Sequence, residues 1–162
     1  MSGVLLVCHA NTCRSVMAHA LLERMLAEQG LSDRVRVRSA GVSPYARDGM
    51  LTSLDARLVL KEIGIRLEED TIVSTDLKTH RDLVGEAAVV VTMTAEQKRL
   101  VAALVADGPP TLTLRELAGE SGDIGDPVGQ GEDTYRACRD EIARCLDKGF
   151  QDLLGRMGTP PA

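Results

Sequence analysis

The chain has 162 residues, a length that favours a single domain. Hydrophobic residues make up 44% and charged residues 27%, which excludes a disordered chain, while the 2% of aromatic residues indicates an aliphatic core. The formal net charge of −5 argues against a nucleic-acid surface or a polybasic membrane patch, so an anion site has to be local. Four cysteines behind an N-terminus without signal-peptide features indicate reduced thiols in the cytoplasm.

Hydrophobic periodicity predicts strands that alternate with helices. The first half of the chain predicts a buried strand at 3–7, an amphipathic helix at 14–29, a strand at 34–39 and a helix at 50–63 that ends at Gly64. The second half predicts a strand at 87–92 that is covered on both faces and a helix to about 106 that begins with a capping box of Thr94 and Gln97. A short strand at 111–114 and a last helix at 133–156 follow. This order predicts an α/β domain over 1–157, a doubly wound parallel sheet with helices on both faces, followed by a flexible tail at 158–162.

The loop between the first strand and the first helix is the candidate site, because ligands of parallel sheets bind beyond the carboxyl ends of the strands. This loop consists of Cys8, His9, Ala10, Asn11, Thr12, Cys13, Arg14 and Ser15. A helix N-terminus has unpaired N–H groups and about half a positive charge, so the loop can bind phosphate or another tetrahedral oxyanion. The same field stabilises a thiolate at Cys8, the Arg14 guanidinium can hold two oxygens, and Ser15 can donate to the sulfur.

A cysteine followed six residues later by an arginine is a weak signal by itself. Cys138 and Arg144 have the same spacing, but they lie inside the predicted last helix, where the backbone N–H groups are already bonded. We interpret His9 as a loop imidazole and not as a catalytic base, since an ionised thiolate needs none. Cys13 lies close to Cys8 in the sequence, so we expect a reversible Cys8–Cys13 disulfide after peroxide treatment.

Displacement at phosphorus also needs an acid that protonates the leaving group, and Asp126 is the candidate. It lies between Gly125 and Pro127, and the proline restricts it to an extended conformation in an exposed loop. The Asp-Pro dipeptide alone would indicate no more than an ordinary turn.

The combination of these segments resembles the low-molecular-weight protein tyrosine phosphatase family over about residues 3–150. The resemblance rests on VCHANTCRS at 7–15, Ser39-Ala40-Gly41, VVVTMT at 89–94, and the late Asp126-Pro127. It implies a four-stranded parallel sheet flanked by helices and hydrolysis through a cysteinyl-phosphate intermediate. Cys8 would be the nucleophile, Arg14 the group that binds the phosphate and the transition state, and Asp126 the general acid and later the base.

The resemblance further implies that Asn11, Ser15 and Ser39 brace the loop, and that neither a metal nor an organic cofactor takes part. Implied partners are phosphorylated proteins as substrates and inorganic phosphate or vanadate as inhibitors, with a monomeric chain that binds neither nucleic acid nor membrane. A binding module that had lost catalysis would be recognised by the loss of Cys8, Arg14 or Asp126, and all three are present.

Three positions depart from the family pattern. Ala10 stands where the family usually has glycine, and an alanine at positive φ costs about 1 kcal/mol, so a slightly altered loop is expected there. Val16 stands in place of a proline, and Val128 in place of the aromatic residue that usually follows Asp-Pro. The stretch Glu69-Asp70-Thr71 lacks the histidine that helps to brace the loop in many members.

The substrate class stays open between two alternatives. Phosphotyrosine is the family default, whereas phosphoarginine is suggested by Thr12, the residue of the protein arginine phosphatase branch, where tyrosine-directed members commonly have a bulky aliphatic. Thr12, Tyr45 and Val128 are the predicted specificity residues. A thiol-dependent arsenate reductase is less favoured, because Cys138 and Cys145 are separated by a helical rise of about 10.5 Å, beyond disulfide reach.

Overall fold

The computed structural model describes residues 2–158, so the predicted tail lies outside the described residues apart from Gly158. The described residues form four strands and six helices, in the order β1 (Ser2–Cys8), α1 (Arg14–Glu28), β2 (Val35–Gly41), α2 (Leu54–Lys61), α3 (Asp82–Glu86), β3 (Val89–Thr92), α4 (Ala95–Leu104), β4 (Thr111–Thr113), α5 (Leu114–Leu117) and α6 (Glu132–Arg156). None of these helices is long and apolar enough to cross a membrane.

The four strands form one parallel sheet in the order β2-β1-β3-β4. The predicted doubly wound parallel sheet is therefore confirmed. β1 is a central strand whose last residue, Cys8, pairs with Gly41 of β2, while Val7 pairs with Thr92 of β3. The loop that follows Cys8 consequently starts at the middle of the carboxyl edge of the sheet, where β2 and β3 also end.

Two aliphatic clusters cover the two faces of the sheet. Alternate residues of β1 point to opposite faces, so Leu6 and Cys8 join the cluster under α1 and α6, while Leu5 and Val7 join the cluster under α3 and α4. The Cys8 side chain therefore lies on the face of the sheet that is covered by α1, the helix that begins six residues later.

The second predicted helix is shorter than the apolar pattern suggested. The Ser53 side chain accepts a hydrogen bond from the Ala56 N–H and caps α2, so the helix covers Leu54–Lys61 and not 50–63. The residues before the cap pair with a later segment instead, because the Met50 carbonyl accepts from the Ser74 N–H at 2.9 Å.

Two short helices, α3 and α5, were not predicted. Residue 114, expected to end a strand, begins α5 because Thr113 and Glu116 form a capping box immediately after β4. The predicted capping box of Thr94 and Gln97 at the start of α4 is confirmed. The strand predicted from residue 87 begins at Val89.

Candidate active site

The candidate loop connects Cys8, the last residue of β1, to Arg14, the first residue of α1. Cys13 occupies the N-cap position of α1 and makes no side-chain capping hydrogen bond, and the first turn of the helix contains no acidic residue. The first N–H groups of α1 are therefore not capped by a side chain, which is the condition for binding an oxyanion there.

The Cys8 sulfur lies 3.0 Å from the Ser15 hydroxyl oxygen in a buried contact. The same oxygen accepts a hydrogen bond from Asn11 Nδ2 at 2.8 Å. When the sulfur is a thiolate it can only accept, so the Ser15 proton then points towards it. The contact thus provides a hydrogen bond that is stronger to the ionised nucleophile than to the thiol.

Asn11 connects the loop to a segment far along the chain. Its Oδ1 accepts from the Thr75 N–H at 2.9 Å, so the side chain bridges Ser15 and Thr75. Asn11 has a φ of +60°, and asparagine is among the few side chains that adopt this left-handed region readily. It is the only non-glycine residue of the described chain with positive φ, so the expected cost at Ala10 does not arise. The Glu69-Asp70-Thr71 stretch lacks the histidine that braces the loop in many family members, and here the backbone N–H of Thr75 bonds to the loop instead.

The Ser39 side chain, expected to brace the loop, makes its hydrogen bond to α1. Its Oγ is hydrogen-bonded to His19 Nδ1 at 2.8 Å, and His19 Nε2 lies 3.1 Å from Glu23 Oε1. The reason is register: Ser39 pairs with Leu6, two residues before the level of Cys8. Ser39 therefore joins β2 to α1, and His19, which the sequence did not single out, is its partner.

Gly41 is the residue of β2 that contacts the loop. A Cβ on Gly41 would lie 2.6 Å from the His9 carbonyl oxygen and 2.8 Å from the Ala10 carbonyl carbon. The residues after it hold the loop through backbone bonds, from the Val42 N–H to the Cys8 carbonyl and from the Ser43 N–H to the His9 carbonyl, both at 3.1 Å. The loop can approach β2 this closely only because position 41 has no side chain.

We therefore expect Gly41→Ala to lower kcat/KM about 100-fold, because an added methyl group displaces the loop by a distance that matters for in-line attack. The measurement is steady-state kinetics on an aryl phosphate, with thermal unfolding recorded in parallel. Gly85→Ala is the control, since a Cβ there would have no atom within 4 Å. Wild-type kinetics for Gly41→Ala would show that the loop tolerates the shift.

Arg14 and Asp126 meet across 112 residues of sequence. Arg14 is buried, its Nη1 donates to the Ile124 carbonyl at 2.7 Å, and its Nη2 lies 3.7 Å from Asp126 Oδ2. The Asp126 side chain is 48% exposed, so its carboxyl group is accessible to a ligand on the loop. The Ile124 N–H donates to the Met93 carbonyl just after β3, which fixes the Asp-Pro segment at the carboxyl edge of the sheet.

The remaining thiols lie in the apolar interior. Burial is the largest cause that raises the pKa of Cys13 above its ordinary value, and burial also raises the pKa of Cys138 to about 12. Cys138 and Cys145 both lie on the buried side of α6, as the helical pattern indicated. Because the thiolate is the form that attacks sulfur, burial disfavours Cys13 as a partner of an oxidised Cys8. The Cys8–Cys13 disulfide stays a prediction.

The three predicted specificity residues differ in their exposure. Thr12 is half-buried, while Tyr45 is 80% and Val128 59% exposed. The Thr12 carbonyl accepts from the Ser53 N–H at 2.9 Å, which places the start of α2 beside the loop. His9 Nδ1 has no hydrogen-bond partner among the described residues.

Comparison with known proteins gives the family. The family model described as low molecular weight phosphotyrosine protein phosphatase matches residues 3–156. The chain belongs to this family. As a member it is a protein phosphatase, a hydrolase, and the resemblance inferred from the sequence is confirmed.

Relatives of both substrate classes are similar to this phosphatase. It is 38% identical to a protein-arginine-phosphatase of Geobacillus stearothermophilus over 152 residues, covering 93% of this chain and 95% of the relative. It is 30% identical to the low molecular weight protein-tyrosine-phosphatase PtpB of Staphylococcus haemolyticus over 142 residues, covering 88% and 93%. Its structure matches a mutant of the YwlE arginine phosphatase with a phosphorylated active-site serine, with a TM-score of 0.82, 33% identity and coverage of 94% and 95%.

Proposed function

We propose that the phosphatase hydrolyses phosphorylated side chains in two steps at Cys8. In the first step the Cys8 thiolate attacks phosphorus, an S–P bond forms, the bond from phosphorus to the leaving atom breaks, and Asp126 protonates that atom. In the second step Asp126 takes a proton from water as the water oxygen attacks phosphorus. The S–P bond then breaks, inorganic phosphate leaves, and the thiolate returns.

The observation that carries this proposal is the environment of Cys8. The sulfur is 3.0 Å from the Ser15 hydroxyl beside a helix N-terminus, and Arg14, the first residue of that helix, has its guanidinium 3.7 Å from the Asp126 carboxylate. The N–H groups of residues 9–15 and the Arg14 fork would surround the phosphate oxygens, where inorganic phosphate or vanadate would compete. The phosphorylated serine in the active site of the related YwlE mutant supports phosphoryl transfer to a residue at this position.

Among substrates, we propose phosphoarginine alongside the family default, phosphotyrosine. A phosphotyrosine ring is best held by aromatic or bulky aliphatic walls, whereas among the predicted specificity residues Thr12 is half-buried and Val128 and Tyr45 are widely exposed. A phosphoarginine side chain is thinner, and its N–H groups can donate hydrogen bonds to the Thr12 hydroxyl oxygen. Its leaving nitrogen also needs a proton, which Asp126 would supply. The similarity to the Geobacillus protein-arginine-phosphatase supports this second substrate.

The test is Thr12→Ile with matched phosphoarginine and phosphotyrosine peptides. We expect the ratio of their kcat/KM values to shift towards phosphotyrosine by about 10- to 200-fold, because one polar contact is lost and one apolar contact is gained. Thr111→Ile makes the same change at a half-buried threonine at the amino end of β4 and should leave the ratio unaltered. An unchanged ratio in Thr12→Ile would make Thr12 a packing residue and leave phosphotyrosine as the substrate.

We also propose that the enzyme works as a monomer in the cytoplasm and binds neither nucleic acid nor membrane. The mechanism requires a reduced nucleophile, and Cys8, Cys13, Cys138 and Cys145 are all free thiols. The net charge of −5 is unfavourable for a polyanionic partner.

A further inference from the structure

Helix α2 has an outward face that combines cations with leucines. Leu54, Arg57, Leu58 and Lys61 recur at the helical spacing of one face, and together with Arg66, Leu67 and Glu68 they line a surface cavity of about 200 Å³. We refer to this cavity and its seven lining residues as the α2 groove.

The three cations of the α2 groove have no partner within residues 2–158. The side chains of Arg57, Lys61 and Arg66 take part in no hydrogen bond or ion pair with any described residue, and Arg57 Nε is buried without an acceptor. The groove contains one carboxylate, Glu68, so three positive charges face one negative charge. In a chain with a net charge of −5 this is a local cationic excess.

The leucines of the groove are not part of the core. Leu54 is 58% and Leu58 43% exposed, whereas the buried side of α2 consists of Ala56, Val59 and Leu60. An exposed apolar strip between unpaired cations fits a polypeptide segment that carries an acidic side chain, because the leucines can pack against its methylene groups while the cations pair with its carboxylate.

The α2 groove begins at the end of α2 that contacts the candidate loop. The Ser53 N–H donates to the Thr12 carbonyl at 2.9 Å, and α2 starts at the next residue. With a helical rise of 1.5 Å per residue, Lys61 lies about 12 Å along the axis from Ser53. An extended polypeptide covers that distance in about three or four residues.

We propose that the α2 groove binds an acidic side chain of the substrate polypeptide about three residues from the phosphorylated residue. The inference rests on the proposed function, since the phosphorylated residue occupies the loop at Cys8. It predicts that the groove contributes to KM for phosphopeptides and has no effect on small aryl phosphates, which do not reach it.

The test uses two phosphopeptides that differ only in having Glu or Lys at the third residue on each side of the phosphorylated one. The groove variant carries Arg57→Gln, Lys61→Gln and Arg66→Gln. The control variant carries Arg34→Gln, Arg36→Gln and Arg38→Gln, which changes the net charge equally at three exposed arginines on and just before the edge strand β2.

We expect the kcat/KM of the wild type to be about tenfold higher for the Glu peptide than for the Lys peptide, with the difference in KM. A tenfold effect is consistent with a few partly exposed ion pairs. The groove variant should lose this preference with kcat unchanged, and the control variant should keep it. The inference is overturned if the wild type shows no preference, if the groove variant retains it, or if the control variant loses it equally.

Other occupants of the groove give distinct results. The groove variant could lose a weak inorganic-phosphate site and keep the peptide preference. That result would make the α2 groove a site for free anions. A change in sedimentation of the groove variant would make the occupant a second copy of the chain. Either result overturns the inference. If the wild type does not hydrolyse aryl phosphates, the proposed function fails. Calorimetry with the unphosphorylated Glu peptide then tests the groove alone. Tighter binding of this peptide to the wild type than to the groove variant supports the inference, and equal binding overturns it.

Discussion

Cys8→Ser should lower kcat by more than about a thousandfold while phosphate and vanadate still bind. A serine hydroxyl is not ionised at neutral pH, so the field at the start of α1 no longer produces a strong nucleophile. The N–H groups of the loop and the Arg14 fork are unchanged by the substitution, so the oxyanion site persists. The measurements are single-turnover kinetics, vanadate titration, and intact mass after incubation with substrate, in which a retained phosphoryl group would locate the attack at position 8.

The matched control is Cys145→Ser, at a buried free thiol on α6 away from the loop. It should cost stability, because a hydroxyl is buried, and leave kcat near the wild-type value. Retention of a tenth of the wild-type kcat by Cys8→Ser would remove Cys8 from the role of nucleophile. Arg14→Lys should weaken both phosphate binding and rate, because lysine cannot hold two oxygens in a planar fork.

Asp126→Asn should reduce kcat by about 100- to 10,000-fold on substrates with poor leaving groups and far less on activated aryl phosphates. An asparagine cannot protonate the leaving atom, and an activated phenolate leaves without a proton. The measurement is kcat across a series of aryl phosphates of increasing leaving-group pKa, where the variant should show a steeper dependence than the wild type.

Asp123→Asn is the control for that series, since Asp123 lies three residues earlier and its carboxylate accepts from the Ala95 N–H at the start of α4. It should follow the wild-type dependence. Equal losses at every leaving group in Asp126→Asn would contradict the assignment of Asp126 as the general acid and indicate that it only orients Arg14.

The sequence by itself determined the four strands, the four longer helices and the location of the loop, because the signals for them are local. The apolar run before Cys8, the helical pattern after Arg14 and the capping box of Thr94 and Gln97 each lie within a few residues of what they define. The capping box of Thr113 and Glu116 is the same kind of signal for α5, but it directly follows the apolar pattern of a strand, which continues to residue 114.

The contacts that shape the loop were decided by the tertiary structure. Asn11 bonds to Thr75 across 64 residues and Arg14 to Ile124 across 110, and no local pattern specifies which backbone group will arrive there. The bond of Ser39 to His19 has the same origin: the position of Ser39 depends on the register of β2 against β1, which brings Gly41 beside the loop.

The partners of the cations in the α2 groove are also decided by the tertiary structure. The sequence shows Arg57 and Arg66 among nearby acids such as Glu62 and Glu68 but does not say which charges pair. In the folded chain Glu62 turns to Arg136 and Arg139 of α6, because α2 packs against that helix. Charge balance along the sequence is a local property, whereas the partner of each charge is set by which helices pack together. In the part of the chain that the structure describes, that packing leaves Arg57 and Arg66 without an acidic partner.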